Sequence, residues 1–199
     1  MSVWHHDNLT VDGIPYTTRY PVPRHLRTGQ TTAAEDALGL TEDQMLASTA
    51  VHELGHALVW LAGGLHISHI SLVPEGSSTG LVKAHLHHTD AETRPLVLGA
   101  AAGERASDRW LRETGLWTPG RAAIVEVGAR GDRNFVLDHI TPRPVFGTGD
   151  PGDVDYSVLQ DMADAELDLL WDRLMCALPL LLQHRILTGD QLAQHVGLP

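Results

Sequence analysis

Residues 52–56 of this 199-residue chain read HELGH. On an α-helix a four-residue step returns to within about 40° of the same direction, so His52 and His56 present two imidazoles on one face, where they can share a metal ion. Glu53 lies at the edge of that face, placed to reach a water on the ion without being a ligand itself. Val51, Leu54, Gly55, Ala57 and Leu58 are uncharged. Dry surroundings of that kind keep imidazoles neutral and strengthen a cation's pull on water. The chemistry implied is hydrolysis at zinc: Zn2+ lowers the pKa of its water towards about 7, Glu53 takes the proton as a carbonyl is attacked, and the leaving amine receives it.

A helix must carry this pair. Thr41 and Gln44 form a capping-box pair, apolar residues recur at Leu46, Ala50, Leu54, Leu58 and Leu61, and Gly63-Gly64 supply the stop. HISHISLV (66–73) and GLVKAHLHH (80–88) read as two extended segments joined by a turn, which predicts a hairpin. From Thr93 to Glu113 small residues dominate, and Gly99 and Gly103 would permit close packing against another helix. Thr118-Pro119 opens a shorter helix. Residues 141–152 form a Pro- and Gly-rich loop, after which Leu159, Met162, Ala163, Leu170, Leu174 and Leu178 mark a long amphipathic helix with Asp153 as its expected cap. Thr188 and Gln191 cap a last short helix. Residues 1–40 lack helical periodicity and read as an N-terminal arm, with Asp12-Gly13 as a hairpin turn. The fold class expected is mainly α with a small β-hairpin or sheet, and 41–199 form the domain.

Composition narrows the function. Fourteen Lys and Arg against 25 Asp and Glu give a net charge of -11, and such a surface repels phosphate backbones and anionic lipid, so no nucleic-acid partner is expected. The longest apolar run, Leu174 to Leu182, contains Pro179 and falls far short of the roughly 20 residues of a membrane span. The start, MSVWHHDN, has no secretory pattern and Cys176 is the single cysteine, so a cytoplasmic protein without internal disulfides is expected. No GxxxxGK[ST] loop occurs, which excludes P-loop nucleotide hydrolysis.

The order of motifs resembles the peptidase domain of the FtsH-like ATP-dependent zinc metalloproteases. HELGHALV from residue 52, SLVPEGSSTGLV at 71–82, LGAAAGERASD at 98–108 and LTGDQL at 187–192 are similar to that family's HEAGHA helix, hairpin, LGGRAAEE helix and LTGDE segment. The resemblance covers residue 41 to the end and excludes the family's ATPase module and membrane helices. It implies a zincin-type helical metallopeptidase domain acting on a peptide or protein.

A catalytic zinc requires three protein ligands and an open position. The resemblance favours Asp155, in DVDYSVLQDMA, as the third beside His52 and His56, because the family places a ligand Asp at the head of its long helix. Asp132, in GARGDRNFVL, is similar to the family's GASND, but Pro142 would cut its helix short. Glu104 and Asp108, in GERASD, resemble the ligand segment of thermolysin-like enzymes and rank last. Each of these carboxylates has an ordinary alternative role at a helix start.

The remaining signals read as structure. His85 and His87 share one face of an extended segment and His88 the other, as surface histidines with one available to an oxyanion. His5 and His6 belong to the arm. Asp161, Asp164, Asp168 and Asp172 form a solvated acidic face, and Cys176 is expected in packing. Gly80 to His88 offers an edge strand to an extended peptide. The rival to a peptidase is a catalytically silent, zinc-stabilised module that binds a partner through its arm and acidic surface. Self-association or an external partner is open in either case.

Overall fold

A computed structural model describes residues 3–6, 10–11, 14–15, 17–22, 38–72, 81–85, 93–147, 150 and 152–198. Among them the chain is mainly helical with a small antiparallel sheet. Two short strands, β1 (Thr10–Val11) and β2 (Ile14–Pro15), pair antiparallel at the expected arm hairpin. Helix α1 (Glu42–Ala62) begins at Thr41, whose hydroxyl accepts from Gln44 N while the Gln44 side chain caps back, and it ends at Gly63. The Thr41 and Gln44 side chains satisfy backbone donors at the start, and at the end the Gly63 backbone N–H donates to the carbonyls of Val59 and Leu61.

β3 (His66–Ser71) lies between β4 (Leu81–His85) and β5 (Ile186–Thr188), antiparallel to both. The expected hairpin is present in β3 and β4, and a strand from near the C-terminus completes the sheet. Helix α2 (Thr93–Glu113) packs along α1, followed by α3 (Pro119–Gly128), α4 (Arg130–His139), α5 (Tyr156–His184) and α6 (Gly189–Val196). α3 is capped by Thr118 with Pro119 in its first turn, and α6 by a Thr188–Gln191 box. α5 continues through Pro179.

The core is the seam of α1, α2 and α5, with Leu54, Leu58, Ala102, Ala106, Leu167 and Leu174 all fully buried. Small residues on α2 set how closely α1 approaches. A Cβ at Gly55 would stand 2.7 Å from Ala106 Cβ and 2.8 Å from the Ala102 carbonyl oxygen, and one at Gly99 would enter the Trp60 ring. Overpacking such a seam costs about 1–3 kcal/mol.

Three expectations about surface and ends are corrected. The cap of α5 is Asp155, whose side chain accepts from Ser157 N, while Asp153 accepts from Asp150 N in the preceding loop. Three of the four carboxylates in the acidic row on α5 are paired: Arg105 forks onto Asp164 and Arg109 reaches Asp168, tying α2 to α5, and Arg19 of the arm lies 3.8 Å from Asp161. Cys176 is exposed beside His195, because it falls on the outward side of a helix whose Leu174, Ala177 and Leu178 face in. No helix of the described residues is long and apolar enough to cross a membrane.

The arm is anchored to the domain. Trp4 is buried, packed edge-on against Phe146 and Tyr156, and its indole N–H donates to Asp155. His5 pairs with Thr18 backbone to backbone.

Candidate metal centre

His52 and His56 face the same way, as helical spacing requires, and their Nε2 atoms are 3.0 Å apart. The His56 ring is buried between α1 and α2, stacked on Trp60 at 5.4 Å between centroids. Its Nδ1 lies 2.7 Å from the Gly99 carbonyl oxygen. That oxygen can only accept, so Nδ1 carries a hydrogen, and loss of the ring's second proton leaves the lone pair on Nε2, which faces His52 and Asp132. Gly103, one turn along α2, makes the space: a Cβ there would clash with Cε1 and Nε2 of His56 and stand 2.9 Å from His52 Cε1.

The third group is Asp132, in the first turn of α4. Its Oδ2 lies 3.3 Å from His52 Nε2 and 3.5 Å from His56 Nε2. His52, His56 and Asp132 are the group of potential ligands that converge among the described residues. A tetrahedral zinc with bonds of about 2.0–2.1 Å holds its ligand atoms roughly 3.3–3.4 Å apart. The three separations bracket that spacing, so the donor set fits such an ion. Side-chain exposure of 21% at His52 and 33% at Asp132 leaves one side open to solvent, while His56 at 5% closes the other.

Electrostatics follow from three Lewis bases facing one point. Burial opposes a charge on His56, but Asp132 outweighs it, with Glu53 and the Gly99 carbonyl adding to the pull, and the imidazole is pushed up to about 9. Burial works against ionisation of Asp132 too, yet His56 and the hydrogen bonds from both imidazoles hold it well below the usual carboxylate range. A proton is thus drawn to the place where a cation would be drawn. Glu53 is 8% exposed. Burial raises its proton affinity, and the nearby His52 and His56 oppose the rise only in part.

The structure departs from the sequence expectation at the third position. Asp155 is committed elsewhere: its carboxylate accepts from Trp4 Nε1 at 3.0 and 3.1 Å, from Gly147 N at 2.9 Å and from Ser157 N at 2.8 Å. It is a cap and a clasp for the arm. Glu104 is also committed, accepting from Arg133 Nε at 2.8 Å and from the Gln160 amide. Asp108 holds Arg112 and the Trp117 indole. Of the histidines expected near an oxyanion, His85 lies on β4, and His87 and His88 lie outside the described residues.

A buried ion cluster behind the centre went unseen in the sequence. Arg133, adjacent to Asp132, meets Glu104 at 2.8 Å and Glu126 at 3.1 Å, with every side chain 3% exposed or less. Burial raises the Glu126 carboxyl to about 7; Arg133 opposes the rise and the second carboxylate, Glu104, adds to it. Removing one partner of such a buried pair costs on the order of 3–5 kcal/mol, since it strands a charge. The sequence signal available was only an Arg beside a candidate ligand and two Glu on apolar helix faces.

Comparison with protein-family models and with curated proteins returned no match.

Proposed function

We propose that this chain is a zinc-dependent hydrolase of peptide bonds whose ion is held by His52, His56 and Asp132, with Glu53 as general base. The observation that carries the reading is the convergence of two Nε2 atoms and one carboxylate oxygen at separations of 3.0, 3.3 and 3.5 Å. Two imidazoles and a carboxylate are a donor set suited to zinc. When bound, the ion supplies Lewis acidity that acidifies water and polarises a carbonyl.

The chain's own residues do the rest. Glu53 follows directly on His52 and is nearly buried, where a carboxylate of raised proton affinity accepts a proton from attacking water and returns it to the leaving amine. Gly99 fixes the His56 tautomer through Nδ1, which keeps Nε2 available. β4 is an edge strand of the described sheet and lies against α1, the helix that carries the histidines, so an extended peptide has a backbone edge to add to.

A silent, zinc-stabilised module is the competing reading. Structural zinc sites are closed by four protein ligands, whereas three converge here among the described residues and two of them are partly open to solvent. That favours a working site. Glu53→Gln decides between them: the variant should retain a full complement of zinc by elemental analysis and lose cleavage of a mixed peptide library by at least 100-fold. Undiminished cleavage by the variant, or none by the zinc-loaded wild type, would contradict the peptidase assignment.

A further inference from the structure

The helix that carries Asp132 has little of its own to hold it. α4 is ten residues long, its N-cap position is filled by Ala129 with no side-chain cap, and only Arg133 and Val136 are buried. Helices of that length are marginal without tertiary anchors. The carboxylate's placement against two imidazoles therefore depends on whatever fixes the rotation of α4.

Arg133 is the anchor the geometry offers. Its Nε donates to Glu104 on α2 at 2.8 Å, its Nη2 lies 3.1 Å from Glu126 on α3, and its Nη1 donates to the Thr17 carbonyl of the arm at 2.9 Å. The guanidinium carbon is 5.3 Å from the centre of the Tyr156 ring and 5.7 Å from that of Trp4. A planar fork gripped from three directions fixes orientation in a way a flexible ammonium does not. Successive helical residues point about 100° apart. Any turn of α4 that releases Arg133 must swing Asp132 away from the histidines.

We infer that Arg133 is a positioning residue: braced by Glu104 and Glu126, it sets Asp132 against His52 and His56. The inference rests on the metal reading above, and it gives Glu104 a function one step removed from the ion.

The test is a mutant cycle read by cobalt(II) titration of the metal-free full chain, following visible absorption. Arg133→Lys keeps the charge and removes the fork. It should lower cobalt affinity about 10–100-fold, the usual effect of losing an outer partner of a ligand, and alter the absorption band. Asp132→Ala should lower affinity at least as far, and adding Arg133→Lys to it should lower affinity no further, because the effect passes through Asp132. Should circular dichroism show Arg133→Lys unfolded, Glu104→Gln takes its place in the cycle, with a loss of about 10-fold and the same non-additivity. Unchanged affinity in the single variant, or an equal loss in both backgrounds, would overturn the positioning role while leaving the metal site standing. A wild type that takes up no cobalt would overturn the metal reading, and this inference with it.

Discussion

Asp132 and Asp155 both stand at the beginning of a helix, and the company each carboxylate keeps separates them. Asp155 is surrounded by N–H donors from Trp4, Gly147 and Ser157. Those donors, against the opposing effect of partial burial, hold it below its ordinary range. Asp132 faces two imidazole nitrogens. A carboxylate whose lone pairs are already taken by backbone and indole donors has none to give to an ion. The two substitutions should thus have opposite signatures. Asp155→Ala should leave zinc content unchanged and lower stability by about 1–2 kcal/mol, the usual loss for a helix cap. Asp132→Ala should abolish zinc retention. Elemental analysis and thermal unfolding of both variants check this, and zinc loss on removing Asp155 would reverse the assignment.

The helices show why the site exists and where sequence reasoning reached it. The seam between α1 and α2 was legible because Gly99 and Gly103 recur at helical spacing opposite a helix bearing two aligned imidazoles. Gly103 proves to be the vacancy those imidazoles fill. Gly103→Ala should therefore displace both rings and cut zinc affinity at least 10-fold, whereas Gly128→Ala, which meets no atom within 4 Å, should be neutral or stabilising by up to about 1 kcal/mol. Competition with a chromogenic chelator measures the first and thermal unfolding the second; equal affinities in the two variants would show that α2 does not shape the site. The third member of the cluster was not legible in the same way. Asp132 reaches the pair only because α4 is turned by contacts Arg133 makes with residues 29 positions away on α2 and 116 positions away in the arm. Helix periodicity carries no record of those contacts. Asp155 drew the expectation because a capping aspartate and a ligand aspartate have the same sequence form.

Across the molecule, the elements trace a division of labour. α1 supplies two imidazoles and the proposed base, α2 supplies the space and the carbonyl that faces His56 Nδ1, and α4 supplies the carboxylate. α2, α3 and the arm hold α4 through Arg133, which meets Glu104, Glu126 and the Thr17 carbonyl. The helical class, the long helices α1, α2 and α5, the capped ends of α1, α3 and α6 and the β3–β4 hairpin followed from caps, glycines and periodicity, because those signals are local. β5 and the separate α4 were not among the expected elements. The arm's anchoring through Trp4 and the paired face of α5 did not, because each depends on residues distant in sequence. The most direct measurement on the whole is anomalous diffraction at the zinc edge from crystals of the zinc-loaded protein. One peak is expected, within about 2.0–2.2 Å of His52 Nε2, His56 Nε2 and an Asp132 carboxylate oxygen. A peak bound to other residues, or none between the two imidazoles, would contradict the account.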